Sequence, residues 1–392
     1  MASNVCLDRR RPHGPAIRKR QIRWFAAAVT ALVPAAAAAH EAYVVEQSYF
    51  WEELHRPFST HAVDALKDPH NTAVTAYITI GVLLLLTANF LFRRTRFGRT
   101  LHAYPERFAR FGPMFVRAAI AGALFFSAAS NSFLGPELSI NHFAHPGLFR
   151  IGLLLISIMF AVGFLTELAA AIGLLLYAGA AKIFGAYVLT YANYLGELIV
   201  LLLFGMRRWS LDAAVFGKLS RVREQYEKYE SVIVRMLYGF ALVFAGITVK
   251  FLHPDITIKV ATDWHLTQFH WLFPSDSLLI TFGAGLAEVA IGMFIILGFE
   301  MRLTVVISLF YITLSLLYFR ELVWPHYLLY GISLNLLVQP ETFTIDHVLF
   351  ARHRRRTRWW RRPFLPHHGA GKSIGKKLRP EKAQPFPRLE TI

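Results

Sequence analysis

Residues 115–138 read FVRAAIAGALFFSAASNSFLGPEL, and residues 233–256 read IVRMLYGFALVFAGITVKFLHPDI. Laid side by side without a gap, eight of the 24 pairs are identical, among them Arg117 with Arg235, Phe133 with Phe251 and Pro136 with Pro254. Apolar composition alone would match about a tenth, so the two stretches are copies. The kinship extends outward from them. Val162-Gly163-Phe164 matches Leu297-Gly298-Phe299, Asn193-Tyr194-Leu195 matches His326-Tyr327-Leu328, and Trp209-Ser210-Leu211-Asp212 matches Phe343-Thr344-Ile345-Asp346. Each copy encloses four apolar runs of membrane-spanning character. An even number of crossings gives both copies the same orientation, with a pseudo-two-fold axis along the membrane normal.

Composition agrees with a membrane protein. Of 392 residues, 55% are hydrophobic and only 17% are charged, where soluble domains carry about a quarter. The net charge of +17 is held entirely by residues 1–23 and 351–392, and the body between is neutral. The basicity therefore flanks the chain and forms no nucleic-acid-binding face. Cys6 is the only cysteine, which excludes disulfides, CxxC redox pairs and thiolate metal sites. The fold class expected is an all-α polytopic membrane protein: two tandem four-helix transmembrane units in the same orientation, preceded by one transmembrane helix.

The N-terminus reads as a signal peptide over 1–39. Arg18, Lys19, Arg20 and Arg23 precede an apolar run from Trp24, which ends in Ala37-Ala38-Ala39 before His40. The alternative is an uncleaved signal anchor. Either way, 40–70 becomes a short external segment. Apolar runs follow at 72–92, 113–134, 148–165, 167–190, 192–206, 231–252, 277–298, 302–319 and 325–339. Arginine clusters at 93–110, 207–223 and 352–362 all fall on one side of these nine spans. By the positive-inside rule that side is the cytoplasm. The expected layout is a first helix and basic loop over 71–112, units at 113–217 and 231–351, a cytoplasmic linker at 218–230, and a basic tail of disordered character at 352–392. The mature N-terminus would lie outside the plasma membrane and the C-terminus inside. The tail either lies on anionic lipid or docks on an acidic partner, and Trp359 and Trp360 suit a lipid interface.

At these residues the chain resembles the DoxX family. The resemblance rests on an Arg opening each unit, on Gly246, Lys250 and Phe251 closing a first span, and on Glu288, Gly292 and Gly298 in the next. The RWSLDA stretch at 208–213 is its most diagnostic piece, with TIDH at 344–347 as a weaker copy. It covers about 113–217 and 231–351 and implies a tandem DoxX-like protein. The first unit departs from the pattern, with Ser132 for the Lys and Leu153 for the Glu. The family includes a small subunit of a terminal quinol oxidase, so the resemblance implies a membrane subunit of a quinone-linked or other oxidoreductase assembly. Other oxidoreductase subunits would be its partners, with membrane lipid around it. Quinone is the cofactor to consider, with none tightly bound.

Ionisable groups within spans are costly and become functional candidates. Glu288 lies near the middle of its span and Lys250 at the end of the preceding one; the first unit has lost both together. Lys182 and Glu197 are that unit's own candidate pair. Each pair is either a structural salt bridge or, for Glu288 with Lys250, a proton-accepting or quinone-contacting site. Arg117, Arg235, Asp212 and Asp346 are expected to be structural. Among the outer histidines, His40, His265 and His270 are weak metal candidates, with no fixed-spacing motif around them. Two other functions stay open: a transporter using the cleft between the repeats, and a non-catalytic scaffold.

Overall fold

A computed structural model describes residues 44–205, 210–215, 229–268, 276–319 and 323–350. The expected signal peptide, the basic tail, His40, His270 and nearly all of the 218–230 linker lie outside the described residues.

Each of the nine apolar runs carries a helix: α2 (Pro69–Arg94), α4 (Gly112–Ala129), α5 (Pro146–Val162), α6 (Thr166–Phe184), α7 (Ala192–Phe204), α9 (Glu230–Ala245), α11 (Ser277–Leu297), α12 (Met301–Tyr318) and α13 (Val323–Val338). The remaining helices are α1 (Gln47–His55), α3 (Arg96–Ala103), α8 (Leu211–Val215) and α10 (Pro254–Asp263). Among the described residues, six continuous helical stretches are long and apolar enough to cross a membrane. One of them, Thr166–Phe204, is two helices: α6 and α7 pack on each other, so the chain reverses at the 3-10 turn Gly185–Tyr191. The chain is a helical, multi-pass membrane protein.

Asp side chains start several helices. Asp68 accepts from the His70 amide (2.8 Å) to begin α2, and Asp276 from the Leu278 amide (2.8 Å) to begin α11. Each satisfies an amide that the helix leaves open. The basic end shows a different cap, used twice. Gly163 (φ 71°) and Leu165 (φ 47°) turn the chain out of α5. Asp212 then accepts from the amides of Leu165 (2.7 Å) and Thr166 (2.9 Å) at the start of α6. Gly298 (φ 63°) and Glu300 (φ 43°) repeat the turn, with Asp346 accepting from the amides of Glu300 (2.9 Å) and Met301 (3.0 Å). The amides of Asp212 and Asp346 donate in turn to the carbonyls of Gly163 and Gly298. A Cβ on either glycine would fall against the buried Arg117 or Arg235 guanidinium, and Arg235 also donates to the Phe343 carbonyl (2.8 Å).

The central core lies between α4 packed on α13 and α9 packed on α7. Tyr194, Tyr238, Ile120, Leu124 and Leu328 are buried there. Small residues permit the approach: a Cβ at Gly331 would lie 2.4 Å from that of Ala119.

Beyond α4 the helical expectation fails. The run expected to reach 134 stops at Ala129, and Ser132–Phe133 pairs antiparallel with Gly135–Ser139. Asn131 (φ 53°) and Leu134 (φ 66°) form the turns; the left-handed region cannot continue an α-helix. The matching stretch after α9 runs instead as a π turn, Gly246–Phe251, into α10. This end is capped by the segment before α2: Phe50 and Trp51 of α1 pack on Tyr187 (5.3 and 5.4 Å). The Ser59 amide donates to the Leu252 carbonyl (2.9 Å).

Candidate functional site

Lys250 and Glu288 come together: Lys250 Nζ lies 2.9 Å from Glu288 Oε1, with both residues buried. Glycines bring their helices close. A Cβ at Gly246 would meet Glu288 Cβ at 3.2 Å, and one at Gly285 would meet Lys250 Cβ at 3.1 Å. One turn further, Gly239 and Gly292 face each other, so that a Cβ on either would lie 2.5–2.6 Å from the other's carbonyl oxygen. Lys250 belongs to the π turn, a feature that recurs at functional sites because it re-aims the residues beyond it.

The pair lies in the wall of a cavity of about 170 Å³. Most of its lining is apolar; Thr257, Ser308, Ser315, Tyr311, Tyr318 and His326 supply the remaining polar groups. His326 is buried. It stands where the first copy has Asn193. At the corresponding places of the first copy, Leu153 is fully buried in the core. Ser132 there bonds Ser130 (2.7 Å).

The other expected pair does not form. Lys182 is exposed near the end of α6, while Glu197 is buried and neither of its carboxylate oxygens has a hydrogen-bond partner among the described residues. A lysine at a helix end reaches outward more readily than into a packed core. His265 is exposed in the left-handed region (φ 52°). Its flanking Trp264 packs on Phe319 (5.4 Å), which lines the cavity.

Sequence reasoning missed an ionic network at the basic end. Arg93, read only as a loop charge, is buried at the end of α2 and contacts Glu300 (3.0 Å), Asp346 (2.8 Å) and Glu341 (3.5 Å). Arg302 adds Glu106 (3.1 Å), and His102 reaches Glu341 (3.0 Å). Burial alone would raise the Glu341 pKa, but the hydrogen bond and charge of His102, with Arg302 and Arg93, hold it at about 2. One donor atom each of His102, Glu341 and Asp346 lie within 4.8 Å of one another. The Asp346 oxygens, however, already accept from two amides and Arg93. Two guanidiniums supply the positive charge that a metal would bring.

A second carboxyl group is buried at the cap end. Glu137 accepts hydrogen bonds from the hydroxyls of Tyr187 (3.0 Å) and Tyr191 (2.6 Å). Burial pushes its pKa up to about 7 against the opposing effect of those bonds.

No family model matches the chain, and neither the curated proteins nor the solved structures offer a match.

Proposed function

We propose that the protein is a tandem DoxX-like integral membrane subunit of a quinone-linked oxidoreductase assembly, with its cap outside and its arginine-rich end and C-terminus in the cytoplasm. The twofold use of Gly163/Asp212 and Gly298/Asp346 supports the reading as two four-helix units in one orientation. So does the packing of each unit's first helix on the last helix of the other.

One observation carries the quinone reading: the buried Lys250–Glu288 pair lies in the wall of a mostly apolar cavity. Such pockets, mostly apolar with a few convergent polar groups, are the usual form of a small-molecule site. The apolar walls suit a ring, the Lys250 ammonium donates to a ring oxygen, and Glu288 accepts a hydroxyl proton of the quinol. The two electrons pass to a redox centre of a partner subunit, and the second proton leaves to water. Transport through the cleft between the units has less support, because Gly331 and Ala119 close-pack there and the cavity is lined, Val44 apart, by residues of the second unit.

The test is purification from native membranes in mild detergent, followed by labelling with an azido-quinone. Labelled peptides from α11 or α12, displaced by excess unlabelled quinol, together with co-purifying flavoprotein or cupredoxin subunits, are expected. Uniform labelling that quinol does not displace would remove the proposal.

A further inference from the structure

Residues 93–111 hold six arginines and one acid, Glu106. Arg93 turns into the core onto its three carboxylates, and Glu106 is taken by Arg302 (3.1 Å). The other five arginines stay at the surface, Arg99 half-exposed, and among the described residues none of them has a carboxylate partner. Arg94 and Arg107 lie instead over the rings of Phe90 (4.5 Å) and Tyr104 (5.1 Å).

α3 sets this charge beside an apolar strip. Phe97, Leu101 and Tyr104 recur at the spacing of one helix face, and they are 69%, 54% and 50% exposed. A second face is turned to the protein: Gly98 is buried, and His102 reaches Glu341 (3.0 Å). Arg96, Arg99 and Ala103 make the third. Ring contacts extend the strip both ways, Phe92 on Phe97 (6.0 Å) and Tyr104 on Phe108 (5.9 Å), so it joins the lipid-facing surface of α2 without a polar break.

Gly98 fixes the level of α3 in the membrane. A Cβ there would fall on the Phe92 carbonyl oxygen, whereas six residues of continuous helix would carry the two about 9 Å apart. α3 thus folds back against the last turn of α2, where the apolar run gives way to Arg93 and Arg94. Its eight residues extend about 12 Å, too short to cross a bilayer. A short helix at that level, apolar on one face and basic beside it, has the form of an interfacial helix.

We propose that α3 and the turn Pro105–Phe111 are a foot that lies in the membrane interface and binds anionic phospholipid. The strip from Phe97 to Phe108 sits among the upper acyl chains, and the five guanidiniums lie on headgroup phosphates. Charge selects this occupant. Residues 351–392, with 13 Lys/Arg against two acids, are repelled by the patch, and a protein partner would have to cover a strip continuous with the lipid-facing side of α2. The inference rests on the multi-pass membrane fold and is independent of the quinone reading. Because His102 and Glu106 tie the same foot to Glu341 and Arg302, lipid held there also steadies the network that seats Arg93.

The experiment uses the full chain in detergent, supplemented with phosphatidylglycerol or phosphatidylcholine. Native mass spectrometry should show phosphatidylglycerol retained at least five-fold more, and it alone should raise the melting temperature. Arg99→Gln with Arg107→Gln and Arg110→Gln should melt like the parent in detergent alone but lose both effects. Placement is read in phosphatidylglycerol nanodiscs from a bimane label on Leu101→Cys or Ala103→Cys in a Cys6→Ser background. A headgroup nitroxide lipid should quench the Leu101 label at least three-fold more than the Ala103 label. Phosphatidylglycerol that binds no better than phosphatidylcholine would overturn the proposal. So would a Leu101 label quenched by aqueous iodide and not by the nitroxide lipid, which would leave the face to a protein partner. Should the triple variant fail to fold, the comparison of lipids on the parent chain and the two labels decide the matter.

Discussion

Lys250 and Glu288 meet because glycine leaves room for their backbones: Gly246 faces one and Gly285 the other. Removing one partner of a buried pair strands the other charge, at about 3–5 kcal/mol, whereas apolar replacement of both is often neutral. Glu288→Gln alone should therefore lower the melting temperature in detergent. Glu288→Gln with Lys250→Met should restore it while quinone-linked turnover of the assembly stays lost. A stable, fully active double variant would show the pair to be structural. Glu137 poses a different problem. Its ordinary pKa is 4.5 and its folded value about 7, so between those values the folded state keeps a proton that the unfolded state has released. Stability should fall as pH rises from about 4.5 to 7 and level off above, by about 3 kcal/mol in all. The groups facing it are the hydroxyls of Tyr187 and Tyr191, with Tyr194 close by. Melting curves across that range should be flattened by Glu137→Gln.

Among the elements, the helices were legible because a bilayer span needs about 20 apolar residues in a row, and all nine runs carry helices. The hairpin at 132–139 was not legible. It depends on left-handed backbone at Asn131 and Leu134, and a leucine there gives no warning in the sequence. The Lys250–Glu288 pair could be read from the joint loss of both members in the first copy, while Lys182 and Glu197, chosen by similar depth alone, do not meet. Depth says nothing about which face of a helix a side chain occupies. The Gly239–Gly292 crossing offers a test at this scale. Gly239→Leu must push α11 away from α9, and overpacking of this sort costs typically 1–3 kcal/mol. Because Glu288 lies one turn away, the variant should also weaken azido-quinone labelling, whereas Gly283→Leu, with open space at its Cβ, should change neither.

At the scale of the molecule, α2 belongs with the second unit although it precedes the first in sequence. It is tied at one end by Asn71 donating to Asp276 (2.6 Å) and at the other by Asn89 and Arg93 on Glu300. Its apolar middle is left to lipid. No periodicity could announce this, because the contacts join residues more than 200 positions apart. Arg93→Met should cost about 3–5 kcal/mol, since three buried carboxylates lose their shared cation. The expected result is a lower melting temperature and faster proteolysis between α2 and α4, with little change in either for Arg96→Met on the exposed side of α3.

That long-range tie also sets a timetable. Arg93 leaves the ribosome 207 residues before Glu300 and 253 before Asp346. At roughly 5–20 residues per second, α2 waits about ten to forty seconds for its first carboxylate, and longer for its second. During that interval its guanidinium lacks the Glu300 and Asp346 carboxylates that hold it in the folded chain. The first of the described spans is therefore among the last to be seated, and a nascent chain stalled before Asp346 would carry α2 without that contact.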